Sequence, residues 1–253
     1  MRAPVNRKPG LDVDGLGRWL QRLWPSHCLV CREAALPDRD LCAACVDGLP
    51  WNRDACVRCA VPLPGLDDAA GAARAEPICG ACLRRAPPLQ RAHAACRYAA
   101  PLDRLLPRFK FHGDLAAGRL LAQVMADALR DAPSPDALVA VPLHRARLRE
   151  RGYDQALELA RPLARALRVP LLRGALVRER ATMPQSRLDA SQRRRNLHRA
   201  FRIASGAALP AHVALVDDVM TTGATLHAAA RALHRAGVAR VDAWVCARVP
   251  APH

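Results

Sequence analysis

Lysine is almost missing from this 253-residue chain: it occurs only at Lys8 and Lys110. Aromatic residues make up 4%, so the core has to be built from aliphatic side chains and alanine. Few aromatic platforms remain on which bases could stack, chiefly Trp51, Tyr98, Phe109, Phe111 and Tyr153. Long apolar runs are missing too. The longest, such as 137–143 and 213–216, fall far below the roughly 18–20 residues a membrane-spanning helix needs. The N-terminus carries Arg2, Arg7 and Lys8 but no apolar stretch behind them, so no secretory signal is expected. The expected location is the cytoplasm, with no membrane insertion.

What is present is globular in composition, 51% apolar and 25% charged, enough for one large domain or two modest ones. The formal charge is +16, from 39 basic and 23 acidic residues. An arginine- and alanine-rich, lysine-poor chain also results from a GC-rich genome, so placement matters more than the total. Residues 1–143 carry a net charge of +4, residues 144–202 carry +11, and residues 203–253 carry +1. A basic middle segment of this kind suits a phosphate-rich partner, either nucleic acid or a polyphosphorylated small molecule. A solvated basic face is the plainer reading.

Of ten cysteines, eight form four Cys-x-x-Cys pairs: Cys28/Cys31, Cys42/Cys45, Cys56/Cys59 and Cys79/Cys82. Two thiolates three positions apart bind one tetrahedral zinc from a tight turn, and a second pair completes four sulfur ligands. In a cytosolic chain this pattern means zinc rather than disulfides. Pairing in sequence order gives Cys28, Cys31, Cys42 and Cys45 for one ion and Cys56, Cys59, Cys79 and Cys82 for the other. An interleaved cross-brace fits the spacing equally. Either way all four positions are thiolates, with none left for water, so one or two zinc ions act structurally. They hold together a segment with little core of its own. Cys96 and Cys246 lie outside the pairs and read as small apolar residues.

The segment 212–225 reads His-Val-Ala-Leu-Val-Asp-Asp-Val-Met-Thr-Thr-Gly-Ala-Thr. Its apolar start is a buried parallel strand. Asp217 and Asp218 stand at the strand's C-terminal end, where ligands bind in an open parallel sheet. Thr221, Thr222, Gly223, Ala224 and Thr225 then lead into a helix. Such a turn offers hydroxyls, free N–H groups and a positive dipole end to a phosphate, and Gly223 permits close approach. The two carboxylates suit sugar hydroxyls or a water-bridged Mg²⁺.

This block resembles the phosphoribosyl pyrophosphate (PRPP) binding motif of type I phosphoribosyltransferases. The resemblance implies that Asp217 and Asp218 contact the ribose hydroxyls, as the catalytic acidic pair, and that Thr221 to Thr225 grip the 5′-phosphate. A second strand, near 138–142, runs into a loop whose position implies pyrophosphate contacts at Leu143 and His144. Arg147 and Arg151 are placed to add positive charge. The stretch 176–203 corresponds to a closing loop, from which Arg193 and Arg195 reach the pyrophosphate.

The whole chain is similar to the ComF family, which includes the ComFC and GntX proteins, from about Cys28 to Arg248. The shared points are the cysteine pairs, Phe109-Lys-Phe-His-Gly113, Arg151-Gly-Tyr-Asp-Gln155, the Thr182…Gln185…Leu188…Asn196 loop and Val216-Asp-Asp-Val-Met-Thr-Thr-Gly223. One departure is Asp154, where the family usually has Asn. An ionised Asp cannot donate as Asn does.

The expected fold is α/β: a type I phosphoribosyltransferase-like parallel sheet flanked by helices, with an N-terminal four-cysteine (double) zinc ribbon. The divisions are a lead segment at 1–25 (helical around Leu16–Leu23), the double ribbon at 26–90 and the transferase-like domain at 91–253. Strands are expected near 94–98, 138–142, 169–172, 175–179, 200–203, 213–217 and 240–247. An amphipathic helix is expected with Leu115, Leu120, Leu121, Val124, Met125 and Leu129 on its apolar face. The resemblance implies a PRPP ligand with Mg²⁺ and a role in DNA uptake, with the acceptor open. The competing reading is a non-catalytic module that binds single-stranded DNA, or a competence protein such as a helicase, through ribbons and basic loops. Type I cores commonly dimerise, so a homodimer is allowed.

Overall fold

A computed structural model describes residues 27–37, 39–63, 76–179 and 200–250. The lead segment 1–25, the expected closing loop at 181–196, Arg193 and Arg195 lie outside them. The chain divides into two compact units, one ending at Gly48 and the other beginning at Leu49. The cysteines of the double ribbon are shared between them, four to each.

The shorter unit is organised by backbone turns. Arg32 N–H donates to the Cys28 carbonyl at 2.9 Å, Cys28 N–H to the Glu33 carbonyl at 2.8 Å, and Leu29 N–H to the Asp40 carbonyl at 2.9 Å. A single helical turn, α1 (Ala43–Asp47), follows Cys42. Its small interior contains Cys28 and Leu41, both buried. That is too little apolar surface to hold a fold without a cross-link.

The longer unit begins with a second cysteine-rich turn and a short helix, α2 (Gly80–Arg84). There follow β1 (Ala92–Arg97), α3 (Leu102–Phe111), α4 (Leu115–Ala128), β2 (Ala137–Ala140), α5 (Arg145–Arg151), α6 (Gln155–Leu167), β3 (Leu176–Arg178), β4 (Phe201–Ile203), β5 (His212–Met220), α7 (Ala224–Arg235) and β6 (Arg240–Arg248). The main sheet has order β1-β6-β5-β2 and every pairing is parallel. Its strands are near-continuous apolar runs because both faces are covered. Helices α4 and α6 pack on one face; α7 packs against β5, β6 and β4. Strand alternation sends Val139, Val213, Leu215, Val241, Ala243 and Val245 into one shared core cluster with Leu226, Ala229 and Leu233 of α7.

Three details differ from the sequence reading. Residues 169–172 form a single parallel bridge, Leu138↔Leu171, rather than a strand. β3 and β4 form their own antiparallel pair instead of joining the parallel sheet. Leu115 is 57% exposed, because it is the first residue of α4 and precedes the helix's packed turn.

Helix α3 was not expected. It contains Pro107, yet it buries Leu102, Leu105, Leu106 and Phe109, and that apolar face outweighs the lost backbone hydrogen bond. The Phe109 ring rests against Gly118 of α4, where a Cβ would lie 2.4 Å from Phe109 Cε2. Among the described residues no helix is long and apolar enough to cross a membrane. The α3–α4 contact sets a test. Gly118→Ala should destabilise the protein by about 1–3 kcal/mol, the cost of overpacking, despite alanine's better helix propensity. An unchanged or raised Tm in thermal unfolding would show that the ring has room to move.

Candidate functional site

Sulfur placement resolves the ribbon pairing. The thiols of Cys28, Cys31, Cys42 and Cys45 form one cluster and those of Cys56, Cys59, Cys79 and Cys82 another, each set with all sulfurs within 4.8 Å of one another. Cys31 and Cys42 Sγ are 3.5 Å apart, and Cys59 and Cys79 Sγ 3.6 Å. A tetrahedral zinc at about 2.3 Å from each sulfur spaces them about 3.8 Å apart. The donor set therefore fits zinc, paired in sequence order, and the cross-brace is excluded. Burial raises the Cys56 thiol, but the backbone N–H groups of Cys79, Arg58 and Cys59 win and draw it down to about 7. Burial likewise opposes, and N–H groups of Cys31, Cys42 and Val30 outweigh, at Cys28, which falls to about 6. Those two positions favour the thiolate that a metal takes, while burial raises Cys45, Cys59 and Cys82 of the same clusters. Cys96 and Cys246 are fully buried.

The second cluster is stitched into the sheet. Ala92 N–H of β1 donates to the Val57 carbonyl at 2.8 Å, and Asn52 N–H donates to the Ala95 carbonyl at 3.1 Å. On the turn after Cys59, Ala60 adopts φ 54° and is buried among core residues. Its carbonyl accepts from Asn52 Nδ2 at 2.9 Å.

At the C-terminal ends of β2 and β5 a cavity of about 610 Å³ opens. It gathers Leu143, Arg147, Arg151, Asp217, Asp218, Thr221 and Thr225 from the expected site. Thr222, Gly223, Ala224 and His144 stand in the same loops but do not line it. Gly223 caps α7 at φ 76°, and an added Cβ would meet Met220 Cε at 2.6 Å. The positive φ favours glycine there, while the Met220 methyl is the end of a flexible side chain that can move aside. His144 caps α5, its Nδ1 accepting from Ala146 N–H at 3.2 Å.

The carboxylates dominate the electrostatics. Asp217 Oδ1 accepts from Asp218 N–H at 2.9 Å, and Asp218 Oδ1 from Val219 N–H at 2.8 Å. Burial and the neighbouring Asp218 push the Asp217 carboxyl well above its ordinary range, while Lys110 pulls it back. Asp218, 5% exposed, is held by Lys110 Nζ at 2.8 Å. Burial lowers the Arg178 guanidinium, as does Arg147, against an opposing pull from Asp217. Burial, Arg231 and Arg248 together hold His227, beneath the turn, down at about 4, so it is neutral there.

Sequence reasoning did not assign Lys110, Arg178, Tyr98 or Phe111 to the cavity, which all four line. Lys110 carried a signal, being one of two lysines in an arginine-rich chain. It reaches the site because α3 is fastened from below. Tyr153 Oη donates to the Phe109 carbonyl, the two rings lie 5.8 Å apart, and Arg151 sits 5.1 Å from the Phe111 ring centre. Phe109–Gly113 and Arg151–Gln155 thus form one joint. Asp154 resolves its own departure from pattern. One carboxylate oxygen accepts from Leu157 N–H at 3.1 Å, capping α6, and the other from Leu143 N–H at 3.0 Å. Both contacts require an acceptor, which Asp supplies twice.

Two family models match this chain. A double zinc ribbon domain matches residues 19–83 and a phosphoribosyl transferase domain matches residues 153–252. The chain is 36% identical over 253 residues to DNA utilization protein YhgH of Escherichia coli K12, covering 94% of this chain and 99% of that one. It is 39% identical over 178 residues to competence protein F of Haemophilus influenzae, covering 67% and 78%. With competence protein ComFC of Bacillus subtilis it shares 34% over 160 residues, 60% and 61% of the two chains.

Two tests follow from this geometry. Native mass spectrometry should find two zinc ions per chain, and Cys82→Ser should leave one; a single ion in the unaltered protein would contradict two closed sites. Asp154→Ala should cost about 0.5–2 kcal/mol for the lost cap alone, read as a lower urea midpoint, with Asp154→Asn retaining part of it.

Proposed function

This chain belongs to the ComF family of competence and DNA-utilization proteins, and from that premise we propose that its cavity binds PRPP with Mg²⁺. The observation that carries the reading is the convergence of an acidic pair, a threonine turn and arginines on one cavity at the carboxyl ends of β2 and β5. Asp217 and Asp218 accept the ribose hydroxyls. The turn Thr221–Thr225 offers N–H groups, hydroxyls and the N-terminus of the 12-residue helix α7 to the 5′-phosphate. Arg147 and Arg151, with the backbone at Leu143, receive the pyrophosphate. Lys110 holds the acidic pair in the absence of ligand and yields Asp218 as ribose enters.

The two carboxylates are hard oxygen donors of the kind Mg²⁺ accepts, directly or through water. Such an ion would neutralise pyrophosphate charge at that wall. Tyr98, Leu106, Pro107 and Phe111 make the cavity's apolar side, a surface suited to a planar acceptor. A transferase built this way works by positioning and by electrostatic stabilisation of the leaving pyrophosphate. The relatives' names tie them to competence and DNA utilization, and we assign this chain's role to the same process. A second reading, a basic surface that binds single-stranded DNA, draws on the exposed arginines of α5, Arg145 and Arg149.

Calorimetric titration of PRPP with Mg²⁺ into the zinc-loaded protein should show micromolar binding. Asp217→Asn with Asp218→Asn should weaken it ten- to a hundredfold, matching a charge-assisted hydrogen bond of about 1.5–3 kcal/mol. A folded, zinc-replete protein that releases no heat with PRPP, yet retains single-stranded DNA, would overturn the ligand assignment in favour of the second reading.

A further inference from the structure

The last residue of β6, Arg248, has no solvent role: it is 7% exposed. Its Nε donates to the Cys59 carbonyl at 2.9 Å. Its Nη1 donates to the Met220 carbonyl at 3.2 Å and to the Thr221 and Val249 carbonyls. One rigid guanidinium therefore spans two loops distant in sequence. Cys59 belongs to the second thiol cluster. Met220 and Thr221 form the entry to the threonine turn, and Thr221 lines the cavity.

The electrostatics make this strut depend on the metal. Four thiolates and a divalent zinc sum to two negative charges, and the guanidinium interacts with the sulfurs of Cys59, Cys79 and Cys82. With zinc bound, a buried cation faces a buried anion. With the metal gone, that charge pairing goes with it. The knuckle that presents the Cys59 carbonyl also loses its cross-link. The Met220, Thr221 and Val249 carbonyls remain within its reach.

We infer that Arg248 is a positioning residue that couples zinc in the second cluster to ligand binding at the threonine turn. The inference rests on the reading of that turn as the phosphate site. Coupling between two sites is reciprocal: zinc organises the turn for PRPP, and PRPP in turn retains the zinc. The second ribbon is then a working part of the ligand site and not only a fold-holding clip. A lysine at 248 keeps the charge but loses the planar fork that reaches both loops.

The test follows zinc release from the full-length protein to a chromogenic chelator, with and without saturating PRPP and Mg²⁺. Serine at all four first-cluster positions, in the full chain, assigns the release phases. PRPP should slow release from the second cluster about tenfold, well within the range of known couplings. Asp217→Asn with Asp218→Asn should abolish the effect, which controls for chelation of zinc by PRPP itself. Arg248→Lys, shown by circular dichroism and zinc content to be folded, should bind PRPP more weakly and lose the retardation. If the unaltered protein binds PRPP but its zinc release does not change, or if Arg248→Lys retains the full retardation, the coupling is wrong and the ligand assignment stands. If the unaltered protein does not bind PRPP, the ligand assignment fails and the coupling with it.

Discussion

Two carboxylates at the end of a buried strand set the terms for the rest of the longer unit. β5 lies inside the sheet, between β6 and β2, and it ends by bringing Asp217 and Asp218 together in a partly enclosed cavity. Adjacent acidic groups removed from water repel and resist ionisation unless cations compensate. The chain supplies those cations from three directions: Lys110 from α3, Arg147 and Arg151 from α5, and Arg178 from β3. Each of these elements needs its own anchoring to bring a charge there. For α3 the anchor is the Phe109–Tyr153 joint, and for the loop before α5 it is the Leu143–Asp154 hydrogen bond.

Asp242 shows what a purely structural buried carboxylate looks like in the same sheet. It is 1% exposed, and it accepts from Arg240 Nη2 at 2.9 Å, from Arg91 N–H at 3.1 Å and shares a hydrogen at 2.9 Å with His212 Nε2. All its partners are tied to the adjoining strand ends, so it staples the N-terminal edge. At the opposite edge the acidic pair is met by one flexible lysine and by arginines gathered around open space. A cation on a four-carbon stem can withdraw when a better partner arrives; a network of three close donors cannot. The difference between the two edges is the physical argument for a ligand at the second.

Much of this was legible in sequence because the signals were short-range. Cys-x-x-Cys spacing and the run from Val213 to Thr225 each encode their chemistry within a single turn or strand. Long-range matters were not legible. The cysteine pairing needed the sulfur positions. Helix α3 was hidden by Pro107, whose cost is repaid by four buried side chains contributed across the fold. β3 and β4 read as members of a parallel sheet, yet they pair antiparallel, since a three-residue strand carries no directional signal of its own. Asp154 looked like a defect by comparison with a family pattern. Its two acceptor contacts, eleven residues back and three forward, make it a joint between a loop and a helix.

The basic middle segment illustrates how composition misleads until charges are placed. Its net +11 suggests one patch, but the arginines divide by neighbourhood. Arg161 pairs with Glu158 and Arg202 with Glu179, contacts that stabilise little at a surface. Arg145 and Arg149 face solvent. Arg147, Arg151 and Arg178 line the cavity; Arg151 and Arg178 are half-buried, where a charge counts for more than at an exposed position, while Arg147 is exposed. Four cationic side chains, Lys110, Arg147, Arg151 and Arg178, line the cavity with three carboxylates, Asp154, Asp217 and Asp218, a nominal excess of one positive charge. A ligand that restores the balance brings negative charge, as the phosphorylated ligand proposed above does.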